Sequence, residues 1–140
     1  MSLQAVLFPL IVQVALTFAL LLWLAPLRGK ALSSKEVHPR DIALDQSAWP
    51  ARVQQVANCF SNQFELPILF YLLVILAIIA KKADLPFVIL SWLFVATRLV
   101  HAFIHTGSNI VRLRGAAYGA GMIVLLLMWV IFTVRLIAAY

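Results

Sequence analysis

Charge is scarce in this chain, and acidic charge scarcer still: five Asp and Glu occur among 140 residues, and charged side chains total 11%. Ordinary soluble domains carry about 25% charged residues, so this composition excludes a conventional solvated surface. A single cysteine, Cys59, excludes an internal disulfide. A basic patch interleaved with aromatics is missing too. The Lys and Arg behind the net charge of +6 sit mostly at the ends of apolar runs, where membrane topology calls for them, and no nucleic-acid partner is expected. What the chain has in quantity is apolar side chain, 64% of positions. It comes in runs of about 20 residues, enough for a helix to cross a bilayer core.

Four such runs predict a single all-α domain over residues 1–140, an integral membrane four-helix bundle with helices at about 3–25, 52–80, 85–106 and 115–139. The first run has no basic region ahead of it and exceeds a signal-peptide core, so it reads as a retained membrane helix. Pro9 lies within it, and Gln13 and Thr17 make a small polar spot one turn apart. The stretch "PLRGKALSSKEVHPRDIALDQSAWP", with three prolines and mixed charges, reads as a loop with a short interfacial helix around "RDIAL" and Trp49 as a headgroup-level anchor. The fourth run opens with "GAAYGAG", which sets Gly115 and Gly119, and Ala117 and Gly121, four apart. That spacing permits close helix contact in lipid.

Lys and Arg divide seven against three between the two sides: Arg28, Lys30, Lys35, Arg40, Arg52, Arg112 and Arg114 against Lys81, Lys82 and Arg135. The positive-inside rule then puts the first and third loops in the cytoplasm and both termini outside. Arg98 belongs to no loop.

The polar residues inside the second and third runs are ordered. At the helical repeat, Gln55, Asn58, Asn62 and Glu65 fall within an arc of roughly 80°, as do Arg98, His101, His105, Ser108 and Arg112. Polar groups at membrane depth turn toward protein or a water-filled cleft, so the two stripes are expected to face each other. Glu65 and Arg98 come out at matched depth, roughly 20 Å below their cytoplasmic ends, which predicts a buried Glu65–Arg98 ion pair. Between that pair and the cytoplasmic face, Asn62 with His101, Asn58 with His105, and Gln55 with Ser108 or Asn109 form a ladder. It reads either as interhelical glue or as the wall of a ligand cleft. Arg52 suits either an anionic ligand or a snorkelling anchor. His101 and His105, one turn apart near Glu65, have metal-ligand spacing, but the competing Arg98 argues against a metal, and none is expected. Cys59, at the edge of its stripe, reads as a packing residue.

Asn62-Gln63-Phe64-Glu65 followed by Leu-Pro, together with "WLFVATRLVHAFIH" leading to Arg112, resembles the MAPEG family, membrane-associated proteins in eicosanoid and glutathione metabolism, in a divergent bacterial form. The resemblance spans all four helices and implies a homotrimer in a bacterial inner membrane, with glutathione bound between subunits near the cytoplasmic side. It implies that Asn62 and Glu65 hold the tripeptide. It also implies that Arg112 is the catalytic residue, stabilising the thiolate for attack on a lipophilic electrophile or peroxide. The remaining ligand contacts are expected from Arg52, Gln55, Asn58, His101 and His105. The chain departs from the family pattern at Asn58, where an arginine is usual, at His101 and His105, where tyrosines are usual, and at Leu66, where a tyrosine is usual. Two functions follow as expectations: a glutathione-dependent transferase or peroxidase, or a non-enzymatic membrane protein of the same fold that binds a lipid or a protein partner.

Overall fold

The computed structural model describes residues 1–139. Six α-helices follow in order: α1 (Leu3–Ser33), α2 (Pro39–Ile42), α3 (Ala51–Asn62), α4 (Leu66–Ile79), α5 (Leu85–Thr106) and α6 (Val111–Ile137), with a 3-10 turn at Gln46–Ala48 and no strand among the described residues. Taking α3 and α4 as one interrupted span, four helical segments are long and apolar enough to cross a bilayer. Their outer faces carry fully apolar side chains such as Phe8, Phe18, Leu22, Ile79, Phe103 and Ile123, as a lipid-facing surface requires. The protein is a multi-pass integral membrane protein built as a four-helix bundle.

Local chemistry sets the helix ends. Ser2 Oγ accepts from the Ala5 N–H at 3.2 Å and starts α1. Asp84 Oδ1 accepts from the Phe87 N–H at 3.2 Å and starts α5, with Pro86 in its first turn. At the other end of α5, a Cβ on Gly107 would stand 2.8 Å from the Phe103 carbonyl oxygen, so the turn toward α6 needs glycine there.

Three boundaries differ from the sequence expectation. The α1 helix continues through Pro26 to Ser33 rather than stopping near residue 25. Its extension is held by packing: Leu24 and Ala31 are buried with Val37, Trp49, Val53 and Val56, and the Arg28 guanidinium lies 5.4 Å from the Trp49 ring centroid. Trp49 is therefore part of a core, not a headgroup anchor. The fourth helix begins four residues earlier than expected, at Val111.

The third difference shapes the site. The second span is not continuous: Gln63, Phe64 and Glu65 separate α3 from α4. Pro67 has no N–H to offer the Gln63 carbonyl, and its ring clashes with that carbonyl in a regular helix. The chain responds with three successive short-range bonds, Gln63 N–H to Phe60 O, Phe64 N–H to Ser61 O and Glu65 N–H to Asn62 O, at 3.0, 3.0 and 3.2 Å.

The break divides the bundle into two unlike parts. On one side α4 packs on α1 and α6, around the main core of Phe70, Leu73, Val74, Phe94, Val95 and Met128. The Phe70 and Phe94 rings sit 4.7 Å apart. There α6 comes close to α5 at Gly121, where an added Cβ would meet Thr97 Oγ1 at 2.8 Å; Gly115 and Gly119 face open space. On the other side α3 packs on α1 and α5 but makes no comparable contact with α6.

Candidate functional site

The gap left between α3 and α6 is a cavity of about 490 Å³ with α5 as its floor. From α3 and the break come Asn58, Ser61, Asn62 and Glu65; from α5, His101 and His105; from α6, Arg114, Gly115 and Tyr118. The stripe logic explains why the α5 residues meet there. Arg98, His101 and His105 lie on one face and are buried, whereas the flanking Leu99, Val100 and Phe103 are exposed toward lipid.

Beneath the cavity the guanidinium of Arg98 is fully buried. Its Nη2 donates to Asn62 Oδ1 in a short hydrogen bond, to the Asn62 backbone oxygen at 3.3 Å and to Gln63 Oε1 at 3.4 Å. The expected direct ion pair with Glu65 is not made. Asn62 stands between the two charges, donating through Nδ2 to Glu65 Oε2 at 2.7 Å. The reason is the break: it turns the Asn62 carbonyl and two side-chain amide oxygens toward the cation, so neutral acceptors solvate it. Glu65, at the exposed lip of the cavity, also accepts from the Tyr118 hydroxyl at 3.3 Å.

Arg98 Nε and Nη1, His101 Nδ1 and His105 Nδ1 are buried without a hydrogen-bond partner. The two imidazoles lie edge to face at 5.4 Å, and His101 is 5.6 Å from the Tyr118 ring. Buried polar groups are normally paired, so these are donors or acceptors kept available. The expected Asn62–His101 and Asn58–His105 rungs do not form; the seam is open at this level.

Nearer the helix ends the seam is closed, and two expected ligand contacts serve that purpose instead. Gln55 Nε2 donates to the carbonyls of His105 and Gly107 at 2.8 and 3.0 Å. Arg52 donates to the Thr106 carbonyl and to Gln55 Oε1 at 3.1 Å, and stacks 4.8 Å from the Trp23 ring. Together they satisfy the last carbonyls of α5, which also favour a positive charge nearby. Neither lines the cavity.

Arg112 does not line it either. With α6 starting at Val111, Arg112 and Arg114 are about 200° apart around the helix. Arg114 faces the cavity, donating to Asn109 Oδ1 at 2.7 Å, whereas Arg112 is exposed. The arginine on the cavity wall is thus Arg114, and the expectation for Arg112 is corrected to that extent.

Sequence reasoning missed Gln63, Arg114, Ser61 and Tyr118. Gln63 lies off the polar stripe, facing α1, where it accepts from Gln13 Nε2 at 2.9 Å and donates to the Cys59 carbonyl at 2.9 Å. Both glutamines are buried, and a lone glutamine at matching depth in the first helix was the available signal. Tyr118 follows Arg114 by one helical turn. Cys59 is fully buried between Leu20 and Ala102. Among the described residues no three His, Cys, Asp or Glu side chains gather into a metal set.

No curated protein and no solved structure matches the chain significantly. The sequence model of the MAPEG family matches residues 6–134, nearly the whole length. A four-span bundle with its polar residues on α3, α5 and the start of α6 agrees with that match, and the chain belongs to the MAPEG family.

Proposed function

We propose that the cavity between α3 and α6 binds glutathione and that the protein is a glutathione-dependent transferase or peroxidase acting on lipophilic electrophiles from the bilayer. One observation supports this above the others. A cavity of about 490 Å³ at membrane depth combines a carboxylate, Glu65, with the guanidinium of Arg114, over a buried Arg98 that keeps two N–H groups unpartnered. Glutathione carries two carboxylates, one ammonium, two amides and a thiol, and this donor set fits it.

Arg114 holds carboxylate above the buried charge of Arg98; Glu65, already oriented by Asn62 and Tyr118, holds the ammonium. Asn58 and Ser61, free of side-chain partners among the described residues, suit the peptide amides. Bound glutathione would supply a thiol whose sulfur becomes the nucleophile. A cation next to that sulfur favours the thiolate, and His101 and His105, each with an unpartnered Nδ1, stand where the family's tyrosines are expected to donate a hydrogen bond. Arg112, outside the cavity wall, keeps the thiolate role that the resemblance implies only in an assembly that brings it to a neighbouring site. An exposed carboxylate at membrane depth is costly against lipid, which supports a homotrimer in which another subunit covers the lip. The seven-to-three division of Lys and Arg supports a cavity opening toward the cytoplasm, with both termini outside, in a bacterial inner membrane.

A second reading has its own support. Asn58 offers no charge where the family pattern has arginine, and Arg112 stands apart from the cavity. Both favour a non-enzymatic relative that holds a lipid or a protein partner in the same place. Titrating millimolar glutathione into the detergent-solubilised protein, followed by turnover of a chlorinated dinitroarene and a lipid hydroperoxide, separates the two. Binding with thiol-dependent turnover supports the enzyme. Copurified lipid in the cavity with no glutathione binding supports the second reading.

A further inference from the structure

The far end of the bundle holds another cavity, of about 550 Å³, where the turn between α4 and α5 meets the end of α6. Lys81, Lys82, Asp84 and Arg135 line it. Three cations face one carboxylate, and that carboxylate is already engaged: Asp84 pairs with Arg135 through Oδ2 and caps α5 through Oδ1. Lys81 and Lys82 make no ion pair among the described residues, and Asp84 is the only acidic side chain after Glu65.

The backbone builds this concentration of charge. At the end of α4, the Lys82 N–H reaches the Ala77 carbonyl at 2.8 Å and the Lys81 N–H the Ile78 carbonyl at 3.1 Å. That is the six-to-one and five-to-two pattern of a helix stop that ordinarily takes glycine at its left-handed position. Here Lys81 occupies the position, at φ 56°.

The basic mouth is continuous with apolar surface. A cavity of about 330 Å³ between α1 and α4, lined by Leu3, Val6, Ala77 and Ile78, shares Lys81 and Ala83 with it. On its other flank, Phe87, Met128 and Phe132 form a narrow apolar groove that shares Lys82, Asp84 and Arg135. We propose that this end of the bundle is a binding site for an anionic phospholipid, its phosphate at Lys81 and Lys82 and an acyl chain along the groove between α1 and α4. A cationic mouth that opens onto apolar grooves at the boundary of four membrane spans matches an amphiphile with a negative head. The site lies at the opposite end of α4 and α6 from the glutathione cavity and stands independently of it.

The test is native mass spectrometry of the detergent-purified protein with phosphatidylglycerol, phosphatidylcholine or inorganic phosphate. The expected result is preferential retention of phosphatidylglycerol that inorganic phosphate does not displace. Lys81→Asn with Lys82→Gln keeps a residue tolerant of the left-handed backbone and should lower that retention about tenfold or more, with phosphatidylcholine retention and the thermal midpoint unchanged. Should the double variant lose stability, Lys82→Gln alone decides, with a fewfold loss expected. Ala83→Phe, which fills the junction of mouth and groove without altering charge, should reduce phosphatidylglycerol retention too. Equal retention of the two lipids by the unaltered protein, displacement by phosphate, or an undiminished preference in the lysine variants would overturn the proposal.

Discussion

The two halves of the second membrane span make opposite use of the same bilayer. In α4, "LPILFYLLVILAII", no side chain is charged, and Phe70, Leu73, Val74 and Ala77 are wholly buried against α1, α5 and α6. In α3, "ARVQQVANCFSN", three Asn or Gln residues interrupt the apolar pattern before the terminal Asn62, and the α6 side of that helix is left open as the cavity. The break at Gln63–Glu65 separates these regimes. It lets α4 close against α6 while α3 diverges, and its freed acceptors solvate Arg98, the one fully buried charge among the described residues. A helix interruption at membrane depth is tolerated where it is buried in protein or lines a cavity; this one does both.

The dry half of the span is the more costly to disturb. Phe94→Ala removes a fully buried ring stacked on Phe70 and should cost about 3–5 kcal/mol, read as a large fall in thermal midpoint in detergent. The same variant should leave the cavity's ligand preference intact in whatever fraction remains folded. Next in size is Arg98→Leu, which strands the acceptors of Asn62 and Gln63. A loss of about 2–3 kcal/mol is expected from hydrogen bonds to a charged group. An unchanged midpoint would show that the guanidinium is not what those oxygens are arranged for.

Pro67→Ala restores the missing N–H and so removes the cause of the break. Pro67 lies in the first turn of α4, where proline is tolerated, so the variant is expected within about 1 kcal/mol of the parent. Its cavity should lose ligand affinity as the Asn62 carbonyl returns to the helix. Retained affinity with an unaltered melting curve would show that the break is not what holds the site open.

The smallest effect belongs to the exposed Asp84–Arg135 pair. Burial raises the Asp84 carboxyl, but the hydrogen bonds from Arg135 and the Phe87 N–H, with the Arg135 charge, hold it on balance below its ordinary 3.8. A carboxyl depressed in the folded state contributes stability above its unfolded value, and that contribution disappears as pH falls through the lower folded value. Because both side chains are 41% exposed, the contribution is at most about 0.5 kcal/mol. Arg135→Gln should therefore lower the midpoint slightly at pH 7 and not at all near pH 2, as comparative melting curves would show.

Much of the architecture was legible because hydrophobic periodicity reports it directly: α5 runs from Leu85 to Thr106, within the span its apolar run predicts. The break was hidden because the polar stripe keeps its helical spacing up to Glu65 and the apolar run follows at once; Pro67 was its one signal. Only the ring's effect on the Gln63 carbonyl, a backbone matter, stops the helix. The partner of Arg98 was misread for a related reason. Sequence displays opposite charges and hides carbonyl oxygens, so Glu65 looked like the answer when Asn62 and Gln63 held it. Arg112 was favoured because it continues the polar stripe of α5 and matches the position the resemblance implies, while Arg114 counted only as a loop charge; four residues of extra helix at the start of α6 fix the direction of both side chains.

We propose that the open half of the bundle is a glutathione site whose wall cation is Arg114. Isothermal titration of glutathione into the purified protein, its Arg114→Gln variant and its Arg112→Gln variant tests this most directly, with the melting curve of each as a folding control. Saturable binding by the unaltered protein is predicted, weakened about tenfold or more by Arg114→Gln, as expected for loss of a charged hydrogen bond, and little changed by Arg112→Gln. Absence of binding, or a loss of affinity in Arg112→Gln that Arg114→Gln does not share, would contradict it.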